Sequence, residues 1–169
     1  MKKQRIKRLV LSAMLLAVGI VLPMLTSQIK EIGDTLLPMH IPVLLCGFIC
    51  SASYGGAVGF LLPFIRSFIF SMPPLYPNAV WMALELMTYG AVSGIVYSKT
   101  RRKYLSLILA MLSGRIVWGI AKAVLLGIAG KSFGLAAFIT GGFVDALLGI
   151  VIQLILIPLI VKAYERVNK

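Results

Sequence analysis

A chain of 169 residues with 60% hydrophobic and only 13% charged side chains is short of the roughly one-quarter charge of a water-soluble domain. Its formal net charge of +12 invites a nucleic-acid reading. The distribution excludes it: twelve of the seventeen basic residues sit beside apolar runs, as Lys2, Lys3, Arg5, Lys7 and Arg8, then Lys99, Arg101, Arg102 and Lys103, then Lys162, Arg166 and Lys169. That is the bias of cytoplasmic loops flanking membrane spans, where anionic lipid is the neighbour, not a basic groove interleaved with aromatics.

With a mean hydropathy of +0.99, the bilayer is the expected solvent, and there backbone polar groups must be satisfied within helices or a closed barrel. Strand-like alternation is absent and the apolar runs are long, so the expected fold is an all-α integral membrane protein, a single domain over residues 1–169. The first span is placed at residues 9–28. Its apolar run is too long for the core of a cleaved signal and no A-x-A site follows, so it is expected to be retained.

From Ile41 to Ile65 there is again no charge, but Ser51-Ala52-Ser53-Tyr54-Gly55-Gly56 reads as a turn. This divides the stretch into spans at 37–50 and 55–70; a single helix over 41–70 is the competing reading. Further spans are expected at 78–97, 104–129 and 135–161. Charge decides the count. The basic N-terminus, the basic loop at 99–103 and the basic C-terminus all belong in the cytoplasm, which requires an even number: six transmembrane helices in one compact bundle, multi-pass in the cell membrane, both termini cytoplasmic. Cys46 and Cys50, four apart on one helix face, read as packing residues rather than a disulfide or a metal site.

Ionisable residues inside spans are expensive and mark function. Here they are Arg66, Glu85, Arg115, Lys122 and Asp145, with His40 at a span entrance. Asn78, Trp81, Glu85 and Tyr89 fall on one helical face; Arg115, Trp118 and Lys122 repeat that spacing; Asp145, Gly149 and Gln153 follow at steps of four. Arg66 and Glu85 flank the charge-free hairpin Ser71–Pro77 and either bridge each other or face a ligand. Three cations against two anions leave one positive charge over, which a bound carboxylate or phosphate would neutralise; alternatively Lys122 is neutral or snorkels to the surface. Trp81 and Trp118 share faces with charges and suggest a pocket, whereas Tyr76 suits the interfacial belt. His40 is either a helix-start residue or a ligand contact; as the only histidine it builds no zinc cluster or triad. Gly130-Lys131-Ser132 imitates the end of a P-loop, but the first glycine would fall at Leu125, so no nucleotide site, cofactor or metal is expected.

The stretch "LLPMHIPVLLCGFICSASYGGAVGFLLPFIRSFIFSMPPLYPNAVWMALELMTYGAVSG", with "SGRIVWGI" and "IQLILIPLIV" later, resembles the substrate-binding S components of energy-coupling-factor (ECF) vitamin transporters along nearly the whole chain. The resemblance implies a six-helix membrane protein, not an enzyme, that captures a small vitamin from outside. Its partners would be a transmembrane coupling subunit and two cytoplasmic ATPases. It also implies a first-helix A-x-x-x-A motif packing on the coupling subunit, present as Ala13 and Ala17, and small residues four apart do let helices approach closely in lipid. The ligand pocket would open outward beneath a lid at residues 28–38, lined by Trp81, Glu85, Arg115, Trp118, Asp145 and Gln153. Pantothenate is the first expected ligand because of the spare positive charge; a pyridoxine-like vitamin is the second. A self-sufficient secondary transporter would show internal repeats, and none stands out; a small membrane enzyme would need a nucleophile–base pair that one histidine does not supply.

Overall fold

The computed structural model describes residues 2–26 and 37–167. Among them the chain is all-helical: α1 Lys2–Thr26, α2 His40–Ile49, α3 Ala52–Phe70, α4 Val80–Thr100, α5 Lys103–Ile128, α6 Leu135–Ile139 and α7 Leu147–Val167. A kinked turn, Leu75–Ala79, with Tyr76 extended, leads into α4, and a single π-helical turn, Thr140–Val144, follows α6. The described residues thus form seven helices, not six, because the stretch expected as one span at 135–161 is divided. Gly141 and Gly142 interrupt it: glycine is a poor helix former, and a β-carbon at either would stand only 3.3 or 3.5 Å from the Trp118 ring. The π turn seats this glycine pair against that ring.

Five helical stretches are long and apolar enough to cross a membrane: Lys2–Leu25, Ala52–Phe70, Leu75–Thr100, Lys103–Ile128 and Leu147–Val167. The protein is membrane-embedded. The ten-residue α2 rises only about 15 Å, half a hydrocarbon core. Eight of its ten residues are buried, against α1, α3, α4 and α7, so it is solvated by protein rather than by lipid. Val43, Leu44, Leu45, Cys46 and Phe48 form the centre of the main core with Leu62, Leu86, Tyr89, Leu107, Ala110 and Ile157. Both cysteines are free and buried there.

The division of 41–70 into two helices holds, but the break lies at Cys50–Ser51, where Ser51 is extended, and α3 begins at Ala52 rather than at 55. Gly55 and Gly56 are inside the helix. The role of Gly55 is packing: a β-carbon on Gly90 would lie 2.2 Å from the Gly55 carbonyl oxygen, one on Gly59 2.3 Å from that of Leu86, and one on Gly47 2.4 Å from that of Gly90. Three helices meet here at backbone contact, the arrangement small residues permit where no hydrophobic force drives association. The chain turns back at Ser51 so that α2 and α3 both reach the glycine face of α4.

Helix α1 is held more loosely. Leu11, Leu15, Leu16 and Ile20 pack on the core, while Leu9, Val10, Met14, Val18 and Val21 are exposed. Ala13 and Ala17 lie on the exposed side too. The buried Arg66 secures this helix from α3: its guanidinium donates to the Ile20 carbonyl oxygen and lies over the Phe70 ring, 5.4 Å to the centroid. The bridge from Arg66 to Glu85 considered from the sequence is therefore not formed, because Arg66 turns toward α1. At the opposite end of the bundle Glu165 accepts from the Tyr97 hydroxyl and the Lys103 ammonium, tying α4, α5 and α7.

Candidate binding site

Among the described residues Glu85 is the buried carboxylate, 2% exposed on the inner face of α4. Its Oε1 accepts from Arg115 Nη1 of α5 at 2.9 Å and stands 3.4 Å from His40 Nε2, at the start of α2. Tyr89, one turn further along α4, meets the His40 ring edge-on at 5.0 Å. Four polar side chains from three helices thus converge, and each arrives for a local reason. The i, i+4 spacing puts Glu85 and Tyr89 on one face; the Gly114 backbone of α5 lies so close to the Tyr89 ring that a β-carbon there would be 2.9 Å away; and residue 115 follows directly.

The cluster is short of acceptors. Arg115 Nε and Nη2, both nitrogens of His40 and Nε2 of Gln153 have no hydrogen-bond partner among the described residues. The 3.4 Å approach of His40 to Glu85 is an ionic distance without hydrogen-bond geometry. A buried donor left unpaired costs about 1–3 kcal/mol, so these groups call for acceptors that the described residues do not supply.

Next to this cluster, on the same face of α5, Lys122 is enclosed by aromatics. Its ammonium lies 4.7 Å from the Trp118 centroid, 5.1 Å from Phe133 and 5.4 Å from Trp81. The Arg115 guanidinium lies 5.8 Å from the Trp118 centroid, and Phe138 packs on the same indole at 6.1 Å. Cations over aromatic faces gain about 2 kcal/mol or more when desolvated. The rings therefore hold two positive charges in place, and Lys122 is half-buried rather than snorkelling freely.

Of the residues selected from the sequence, the structure brings together His40, Glu85, Tyr89 and Arg115, and beside them Trp81, Trp118 and Lys122. Gln153 is 1% exposed on α7, with Gly149 buried one turn earlier. Arg66 is buried elsewhere, on α1. Asn78 is half-buried in the kinked turn before α4, and Asp145 is exposed at the end of the π turn after α6, outside α7. The buried charge among the described residues is then Arg66 and Arg115 against Glu85, with Lys122 half-buried: a larger positive excess than the three-to-two count expected. Nearly all of the lid expected at 28–38 lies outside the described residues. Phe133 and Phe138 were not selected from the sequence, since their spacing of five follows no single helical face; the bends around α6 bring both to Trp118. Separate from this site, an open groove of about 290 Å³ between α4 and α5 is lined by Val80, Leu84, Val117, Ile120, Ala121, Val124 and Leu125 and carries no polar side chain.

A family model described as the substrate-specific component of ECF transporters matches residues 7–161. No curated protein and no solved structure matches the chain. The match takes in all or most of every long apolar helix and the whole His40–Glu85–Arg115 cluster, and on that coverage the chain belongs to the family of ECF transporter substrate-specific components.

Proposed function

We propose that this substrate-specific component captures a small, non-aromatic carboxylic acid vitamin, pantothenate first, from the outer side of the cell membrane. It passes the vitamin inward together with a transmembrane coupling subunit and two cytoplasmic ATPases. The observation that carries the substrate class is the pairing of cations with ring faces. Arg115 and Lys122 lie over Trp118, and Lys122 also lies over Trp81 and Phe133. Those faces support positive charge instead of offering a stacking platform, while Arg115 keeps two donors free for a carboxylate. A pyridoxine-like ring is the second choice, because it would have to displace Lys122 from the indoles.

In this reading His40, Glu85, Tyr89, Arg115 and Lys122 contact the ligand or hold those that do, with Trp81 and Trp118 as their support. Gln153 adds a donor from α7, and Arg66, Asn78 and Asp145 have supporting roles outside the cluster. Both termini are cytoplasmic, with the short α2 returning the chain between α1 and α3. Calorimetry of the purified protein against pantothenate, pyridoxine and riboflavin tests the assignment: pantothenate is expected to bind without turnover, and exclusive binding of a ring-bearing vitamin would overturn it. Uptake into vesicles is expected only with the coupling subunit, the ATPases and ATP. Uptake by the chain alone would favour a secondary transporter.

The exposed Ala13 and Ala17 of α1 are proposed to pack on the coupling subunit. Replacing both with leucine is expected to leave ligand affinity within about twofold, since neither side chain is in the core, yet to prevent co-purification with the coupling subunit. Retention of the complex would remove that role.

A further inference from the structure

The geometry points to a proton-binding site at His40: we infer that capture of the anionic ligand is accompanied by uptake of one proton from solvent onto this imidazole. The inference rests on the proposed carboxylate ligand. Within the polar cluster Glu85 and Arg115 cancel. A carboxylate arriving at the free edge of Arg115 is thereby brought close to the Glu85 carboxylate, and like charges in a buried setting repel strongly. A second cation at Glu85 relieves this. His40 Nε2 is already 3.4 Å from Glu85 Oε1, and neither ring nitrogen has a hydrogen-bond partner among the described residues. Protonation supplies hydrogen to both nitrogens, the one at Nε2 facing Glu85. The imidazolium then shares Glu85 with Arg115, whose unpaired Nε and Nη2 are left to grip the ligand.

The surroundings assign the proton to this residue. The helices packed on α2 are α1, α3, α4 and α7. From α4, Glu85 and Tyr89 face His40. The buried charge of α3, Arg66, is turned to the Ile20 carbonyl of α1. The buried polar side chain of α7 is the uncharged Gln153, and that of α1 is Ser12, bonded to the Leu9 carbonyl oxygen. On α5, Arg115 is held by Glu85 and the half-buried Lys122 lies among its rings. His40 is also the single histidine of the chain, and histidine is the side chain whose ordinary titration falls between pH 5 and 8.

The test is calorimetry of the full-length protein with pantothenate and a panel of small carboxylates at pH 5.5, 6.5 and 7.5, in pairs of buffers with different ionisation enthalpies. Binding is expected to tighten as pH falls, by at most about tenfold per unit. The buffer pairs should report net uptake of one proton at the upper end of the range. His40→Gln is expected to flatten the pH dependence; an unchanged slope in that variant would overturn the assignment to His40. Should the variant not fold, Lys122→Met in the same buffer pairs decides the assignment: proton uptake that persists supports His40, and uptake that is lost overturns it. Binding with one Kd at all three pH values and no proton uptake would overturn the proton site while leaving the carboxylate reading intact. Failure of every carboxylate to bind at any pH would overturn both.

Discussion

Replacing Arg115 with alanine is expected to weaken carboxylate binding about a hundredfold or more, since charge-assisted hydrogen bonds in a buried site contribute about 1.5–3 kcal/mol each. The substitution also strands Glu85, which is 2% exposed and depends on Arg115 at 2.9 Å for its hydrogen bond. Breaking a buried pair from one side typically costs about 3–5 kcal/mol, so Arg115→Ala is expected to lose stability as well as affinity. The combination with Glu85→Gln separates the two effects. Removing both charges should restore much of the thermal stability, measured by melting in detergent, without restoring binding measured by calorimetry. Wild-type affinity in Arg115→Ala would place the anion site elsewhere.

A single methyl group at Gly90 is expected to be nearly as damaging to the fold. The β-carbon of Gly90→Ala would lie 2.2 Å from the Gly55 carbonyl oxygen, and a backbone atom has no rotamer by which to move away. Separating α3 from α4 also disturbs α2, whose Gly47 meets the same Gly90 carbonyl. Overpacking in cores costs about 1–3 kcal/mol and occasionally more; at this crossing a loss of about 3 kcal/mol is expected, read as a fall in melting temperature of roughly 10 °C. Gly127→Ala is the control. It adds the same methyl to α5 where nothing lies within 4 Å, and is expected to be neutral or to stabilise by about 0.5–1 kcal/mol. Equal effects at the two positions would mean that the crossing is not close-packed.

The two expectations are linked through α4. Its inner face carries Trp81, Glu85 and Tyr89, and the tight crossing runs alongside them from Leu86 to Gly94. The crossing fixes α4 against α2 and α3, and so fixes the approach of Glu85 to His40. The polar cluster and the packing thus share the same turns of one helix, and partial separation of α3 from α4 should weaken ligand affinity before the bundle unfolds.

The amino-acid sequence by itself determined the solvent, the helical class and the single-helix faces on which most of the clustered polar residues lie. Composition and charge bias are one-dimensional quantities, and helical periodicity is a local one, so Glu85 with Tyr89 and Arg115 with Trp118 and Lys122 were legible as faces of single helices. The likeness of the stretch from Leu36 to Gly94 to S components was legible in the same way, and the family match over residues 7–161 agrees with it. Pairing between helices was not legible. Proximity along the chain suggested that Arg66 meets Glu85 across the proline hairpin, but the rotation of α3 about its axis, set by Gly55 and Gly59 against α4, turns Arg66 to Ile20 and leaves Glu85 to Arg115 and His40. Gly55–Gly56 looked like part of a turn, yet both lie inside α3 and Gly55 proved to be a packing surface, since glycine serves both purposes and local sequence does not separate them. Asp145 kept the spacing of Gln153 but lost its helix: the bend at Thr140–Val144 ends the regular register before α7 begins. Which charges meet is decided by how helices rotate and cross, and that follows from contacts distant in sequence.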